Sequence, residues 1–341
     1  MKFVDRTFNC RHDHAMAIWT YIHEHDNGIT NFHFEVSADL LNEKEIALIN
    51  RMRPGLIQLE IGVQSANEIT IREINRTMKI DVLSTIVDKI KKGNNVHQHL
   101  DLIAGLPYEG YESFGKSFDR VYKMNPEQLQ LGFLKVLKGS VMHDRAQEYG
   151  IVYQDRAPYE VLSTKWLTYA EVIRLKQIEE MVEVYYNSGQ FCCTMAALEQ
   201  EFASPFCMYE CLAAYYDEKN AFAVSHSRIG RYEILYDFIV KTCKERSEQY
   251  MEMLTLDMYL RDNVKKRPEF LRESGVSSDE AAAFYKKEEK ERTYLKAYEG
   301  YDRRQMRKMT HLERIDGKTV LFDYKNRDPL TGNAAIYYLS E

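Results

Sequence analysis

The first 137 residues alternate between short β-branched, apolar runs and amphipathic stretches of helical period. This alternation restricts the chain more than any other feature. The strand-like runs are Lys2–Phe8, Asn31–Ser37, Leu56–Gln64, Val96–Ala104 and Gln128–Leu137. The helical stretches between them are about His12–His25, Asn42–Met52, Asn67–Arg72 with its continuation, Ile80–Lys92 and Tyr111–Lys123. Strands separated by one helix each cannot pair as hairpins. They build a parallel sheet with helices outside, either an open α/β sheet or part of a barrel.

The strands also agree in phase. Phe32, Phe34 and Val36 alternate with His33, Glu35 and Ser37, and Ile57, Leu59, Ile61 and Val63 with Gln58, Glu60, Gly62 and Gln64. Leu100 and Leu102 alternate with His97, His99 and Asp101, and Leu129, Leu131 and Phe133 with Gln128, Gln130 and Gly132. A fully buried parallel sheet is apolar on both faces. A polar phase repeated in four strands predicts a hydrated concavity that holds a ligand, such as a barrel lumen; a half-exposed sheet is the plainer alternative.

Beyond Gly150 the pattern becomes mostly helical. A long amphipathic helix ends at Asn187-Ser188-Gly189, and further helices are expected at about Thr194–Phe202, Pro205–Asn220, Arg231–Lys244, Ser247–Arg261 and Asp279–Leu295. His311–Leu339 closes the chain as paired strands around an Asp316-Gly317 turn. The expected domains are therefore 1–140 and 141–341.

Composition excludes several classes. With 46 basic against 52 acidic residues the net charge is −6, which does not suit general nucleic-acid binding and suits a cytoplasmic protein. No apolar run approaches the roughly 20 residues that span a bilayer, and the opening MKFVDRTFNC has no signal-peptide character. Six cysteines at irregular spacing make no disulfide framework. Cys207 and Cys211 share a helix face but are two thiols only, and Cys192–Cys193 is not a metal spacing.

Candidate chemistry gathers at strand ends. His97–Glu109, HQHLDLIAGLPYE, is a strand with one ionisable face and a Gly-Pro break at its carboxyl end, where ligands bind in repeated strand–helix folds. The polar phase brings Glu35, Gln64 and Asp101 towards one rim, and Arg76 follows Gln64 after a short helix. Two carboxylates, an amide and a guanidinium suit a zwitterionic, ribose-bearing ligand. Capping or ion pairing accounts equally for Glu35 or Asp101. A metal site lined by His97, His99, Asp101 and Glu60 is a further alternative, since two histidines at i, i+2 share a strand face.

GVQS followed by Arg76, then DLIAGLP, resembles the fourth and fifth strands of the radical S-adenosylmethionine (radical SAM) barrel, in the pattern of oxygen-independent coproporphyrinogen oxidases and cobalamin-dependent members. FVDRTFN resembles the second strand, FHFEVSADLL the third and LQLGFLKVLKG the sixth. The resemblance covers about residues 1–140. It implies a partial (β/α) barrel, strands two to six, followed by a mostly helical domain with a C-terminal β-hairpin. The latter resembles an uncharacterised domain found behind cobalamin-binding and radical SAM modules in bacterial proteins.

By this resemblance Glu35 and Asp101 hold the SAM ribose and nearby polar atoms with Gln64 beside them, Arg76 takes the methionine carboxylate, and Gly105 lets the backbone approach the adenine. The family's CxxxCxxC loop, which binds a [4Fe–4S] cluster, does not occur in the sequence. The expectation is a piece of a longer enzyme whose cluster loop and cobalamin domain lie outside these 341 residues, inactive by itself. A non-catalytic binding module is the alternative. The open sheet edge favours self-association or a separately encoded N-terminal half. The substrate is not legible.

Overall fold

The computed structural model describes residues 1–264 and 266–339. The chain divides into two compact units, 1–187 with 202–214 and 188–201 with 215–341. This packing boundary does not fall at 140.

The first unit is α/β. Its elements are α1 (His12–Glu24), β1 (Phe32–Val36), α2 (Glu43–Ile49), β2 (Ile57–Gln64), α3 (Glu68–Glu73), α4 (Ile80–Lys91), β3 (His97–Ala104), α5 (Tyr111–Tyr122) and β4 (Gln128–Phe133). β1 to β4 form one parallel sheet in chain order. The expected phases hold. Phe34, Leu59, Ile61, Leu100, Leu102 and Leu129 are fully buried on one face, under helices such as α4, whose Leu83, Ile86, Val87 and Ile90 repeat at i, i+3, i+4 and i+7. The opposite face carries the polar residues; Glu35 and Gln130 on it are exposed.

The expected first strand, Lys2–Phe8, is a correction. It makes one parallel bridge, Lys2 to His33, with Phe3 N–H donating to His33 O at 3.0 Å. The chain then leaves the sheet because Phe8 turns inward against Phe34 and Trp19, at ring separations of 4.4 and 5.4 Å. The buried amide of Asn9 clamps Ser37 just past the end of β1, donating to Ser37 O at 2.8 Å and accepting from Ser37 N–H at 2.9 Å. The sheet thus has four strands rather than five.

Residues 141–187 pack with the sheet. α6 (Val141–Asp144) is followed by β5 (Val152–Tyr153) and β6 (Val161–Ser163), a short antiparallel pair absent from the sequence reading. α7 (Tyr169–Val182) begins at a capping box of Thr168 and Glu171 and continues as a π-helical turn to Asn187. There the Asn187 side chain does the work of a strand: its Oδ1 accepts from Leu129 N–H and its Nδ2 donates to Leu129 O, both at 2.9 Å. This tie joins the segment beyond 140 to the outer margin of β4. α9 (Pro205–Glu218) runs across the division, after α8 (Cys192–Leu198).

The second unit is largely helical, with α10 (Arg228–Thr242), α11 (Ser247–Arg261), α12 (Ser278–Glu291) and α13 (Arg303–Met309). It ends in an antiparallel sheet of β7 (Thr310–Ile315), β8 (Lys318–Arg327) and β9 (Ala334–Tyr338). The expected hairpin is β7–β8, and AAIYY adds a third strand. Tyr285, Leu295, Tyr298, Met306, Leu312 and Leu321 form the core beneath it. Among the described residues no helix is long and apolar enough to cross a membrane.

Asn187→Ala removes both bonds to Leu129 and leaves partly shielded backbone groups unpaired. It is expected to cost about 1–3 kcal/mol in urea unfolding, with early hydrogen exchange at the Leu129 amide.

Candidate functional site

The end of β2 is irregular, and the irregularity builds the site. Gly62 pairs with Asp101, but the next pairing joins Gln64 to Leu102, so one residue is looped out between them. Gln64 consequently takes a left-handed backbone, φ 68°, a conformation that costs a non-glycine residue about 1–3 kcal/mol. Asp101 offsets it. One carboxylate oxygen accepts the Val63 N–H at 3.0 Å and the other the Gln64 side-chain amide at 3.2 Å.

Gly62 is closely crowded by these groups. A Cβ there would stand 2.8 Å from Gln64 Nε2, 3.7 Å from Asp101 Oδ1 and 3.8 Å from the Arg76 guanidinium. Three of the five residues singled out from sequence therefore converge on one place beside Gly62. Burial pushes the Asp101 carboxyl up to about 6; Glu60 adds to this, while the Val63 N–H and Arg76 oppose it. The cluster combines an amide, a cation and a carboxyl that ionises near neutrality.

Arg76 reaches this point through α3. Asn67 caps that helix, its side chain accepting from Ile69 N–H at 3.0 Å, and the chain turns back with Arg76 N–H donating to Ile71 O at 2.9 Å. Glu73 at the end of α3 is held by the Tyr149 hydroxyl and by Arg145 at 2.6 Å. Those two residues lie in the segment that the sequence reading assigned to the other domain.

The remaining two candidates are not brought into this cluster. Glu35 is exposed on β1, in register with Glu60 and then His99, one row away from Gly62 and Asp101. Gly105 has φ +89°, and a Cβ on it would lie 2.7 Å from Val161 Cγ1. Its lack of a side chain is thus used by β6, which covers it.

Below the cluster lies a band of ionisable groups. Glu60 contacts His33 Nε2 at 2.8 Å and Lys2 Nζ at 3.2 Å. Burial alone would raise its pKa, but Lys2 and the nearby histidines outweigh burial and hold the carboxyl below its ordinary range. Burial lowers the pKa of His97 and of His99. The metal alternative is not supported by this geometry. Among the described residues, three His, Cys, Asp or Glu donors lie within 4.8 Å of one another at Cys192, Cys193 and Asp257, and not at His97, His99, Asp101 and Glu60.

Sequence reasoning passed over a buried polar knot that joins the two loops. The Ser65 and Ser117 hydroxyls each donate to Glu109 Oε1 at 2.7 Å, and Glu109 is 1% exposed. Ser117 Oγ also accepts from Ala66 N–H at 3.0 Å, and Thr70 donates to Pro107 O at 2.9 Å. Burial raises the Glu109 pKa, and the Ser117 and Ser65 hydroxyls oppose that shift. The only sequence signal was their position, since Ser65 ends GVQS and Glu109 ends GLPYE.

Residues 147–329, more than half of the chain, match the model of a family described as protein of unknown function (DUF4080). The chain belongs to that family. It is also 29% identical over 107 residues to the oxygen-independent coproporphyrinogen III oxidase of Salmonella typhimurium, covering 30% of this chain and 23% of the enzyme. Among solved structures, coproporphyrinogen III oxidase from Escherichia coli, described as a radical SAM enzyme, aligns at a TM-score of 0.31 with 21% identity, over 36% of this chain and 28% of that one. The radical SAM methyltransferase TsrM from Kitasatospora setae, with cobalamin and a [4Fe–4S] cluster bound, aligns at 0.37 with 12% identity, over 45% and 29%. The DUF4080 chain thus spans less than a quarter of the length of the curated relative it matches.

Two outcomes follow from the geometry. Gly105→Ala should destabilise the chain by about 2 kcal/mol or more, through the positive φ and the Val161 collision together. Adding Val161→Ala should relieve only the steric part, so a double-mutant cycle in urea would show coupling. For Asp101, whose folded pKa of about 6 lies above its ordinary 3.8, stability is complete below pH 3.8 and is lost as pH rises through about 6. Asp101→Asn should therefore gain on the parent by on the order of 2 kcal/mol between pH 4 and pH 7, read from urea unfolding at a series of pH values.

Proposed function

We propose that residues 1–140 are the SAM-binding part of a radical SAM-type protein, with the DUF4080 region following it. The observation that carries this reading is the cluster beside Gly62, where Gln64, Arg76 and Asp101 meet. Its groups suit those of SAM. The Arg76 guanidinium is a partner for a carboxylate, and Asp101 and Gln64 can take hydroxyl and amino donors. Glu35, on the same face, is the candidate for a more distant ribose contact. Gly105 acts instead through Val161, and any part in adenine binding would fall to the neighbouring backbone.

In radical SAM enzymes bound SAM is the source of a 5′-deoxyadenosyl radical, released when a [4Fe–4S] cluster supplies an electron. The cysteines of this chain do not fit such a cluster. No CxxxCxxC occurs, and among the described residues no three cysteines gather. Binding and orienting SAM is accordingly the task we assign to these residues, with the cluster and any cobalamin supplied from outside the 341-residue sequence.

Isothermal titration of the reduced chain with SAM tests the reading. Saturable binding is expected, weakened at least tenfold by Arg76→Ala (a loss of about 1.4 kcal/mol or more) and also weakened by Asp101→Asn. Absence of binding by the parent chain would overturn it. Anaerobic reconstitution with iron and sulfide should yield no 5′-deoxyadenosine; its formation would show that the chain assembles a cluster after all.

A further inference from the structure

Adjacent cysteines are not a spacing from which a metal site is read, and the sequence gives Cys192–Cys193 no third partner nearby. The second unit supplies one from α11. Asp257 is 1% exposed, and its Oδ1 accepts the Cys193 N–H at 2.9 Å while Oδ2 accepts the Thr194 N–H at 2.8 Å. These two bonds explain a buried carboxylate at the start of α8. They do not explain the two thiols, because the backbone bonds are indifferent to the side chains at 192 and 193. Yet the Cys192 sulfur lies 3.4 Å from Asp257 Oδ1, and both sulfurs and a carboxylate oxygen all lie within 4.8 Å of one another.

We propose that Cys192, Cys193 and Asp257 form a binding site for a thiophilic divalent cation of the zinc class. The spacing suits that chemistry. On a tetrahedral ion with bonds of about 2.3 Å to sulfur and about 2.0 Å to oxygen, ligand sulfur and oxygen stand about 3.5 Å apart and two sulfurs about 3.8 Å. The observed 3.4 Å between Cys192 Sγ and Asp257 Oδ1 is already that separation.

The ion would take the place of the thiol proton now directed from Cys192 to Oδ1. Both thiols would give their protons to solvent, and Asp257 would keep its two backbone bonds. Two thiolates and a carboxylate on a divalent ion leave one net negative charge. Cys192 is exposed, which gives the ion an entry path and a fourth position open to water. Both thiols must lose their protons to ligate the ion, so affinity should rise with pH.

The test uses the full chain, reduced and freed of metal, with Co²⁺ and Zn²⁺ as probes in equilibrium dialysis. One ion per chain is expected, with thiolate-to-cobalt charge-transfer absorption. Cys192→Ser and Cys193→Ser should each lower affinity at least tenfold, while a Cys207→Ser/Cys211→Ser double variant should bind as the parent does. Zn²⁺ should also protect Cys192 from alkylation, as read by peptide mass mapping. Unchanged binding in both single variants, loss of binding in the Cys207/Cys211 variant, or no ion bound by the parent would each overturn the proposal. Because Asp257→Asn disturbs a buried cap on which the fold depends, the proposal is judged on the cysteine variants.

Discussion

The carboxylate of Asp101 is the interaction on which the polar face depends. It accepts the Val63 N–H just where β2 loops out a residue, and so compensates the backbone group that the irregular register leaves without its strand partner. Without it the left-handed backbone at Gln64 would have no offset. With it, the end of β2 brings Gln64 together with Arg76 beside Gly62. The same carboxylate that shapes the cluster is also its most readily protonated acid, because burial raises its pKa. Structural and ligand-facing roles therefore draw on one group.

A second layer keeps that geometry in place. Glu109, Ser65 and Ser117 tie the loop after β2 to the loop after β3 through hydrogen bonds away from solvent. Tyr149 and Arg145 hold the end of α3, and with it the turn that presents Arg76. Residues beyond 140 are thus part of the support for a site built by residues before it, and the first unit is larger than the strand–helix repeat alone.

What was legible in the sequence followed from periodicity. Helices α1, α4, α5 and α11 lie within a residue or so of their expected ends, and in α4 and α5 the apolar residues form a clear stripe. The strands β1 to β4 were legible for the same reason. Features fixed by distant partners were not. Lys2–Phe8 has strand composition, but Phe8 gains more by packing on Phe34 and Trp19. β5 and β6 are too short to show a period, and β6 mattered only through Val161, which occupies the side of Gly105. Gln64, Arg76 and Asp101 were found because they lie near strand ends. Glu109 and Asp257 escaped because a buried carboxylate has no local signature, and its partners stand tens of residues away.

The amide of Asn187 carries a further consequence. It engages both backbone groups of Leu129 and so satisfies, with one side chain, what a fifth strand would otherwise pair. An incoming β-segment at this place would have to evict it and repay two hydrogen bonds before gaining any. The amide therefore blocks strand pairing at Leu129 with a single side chain.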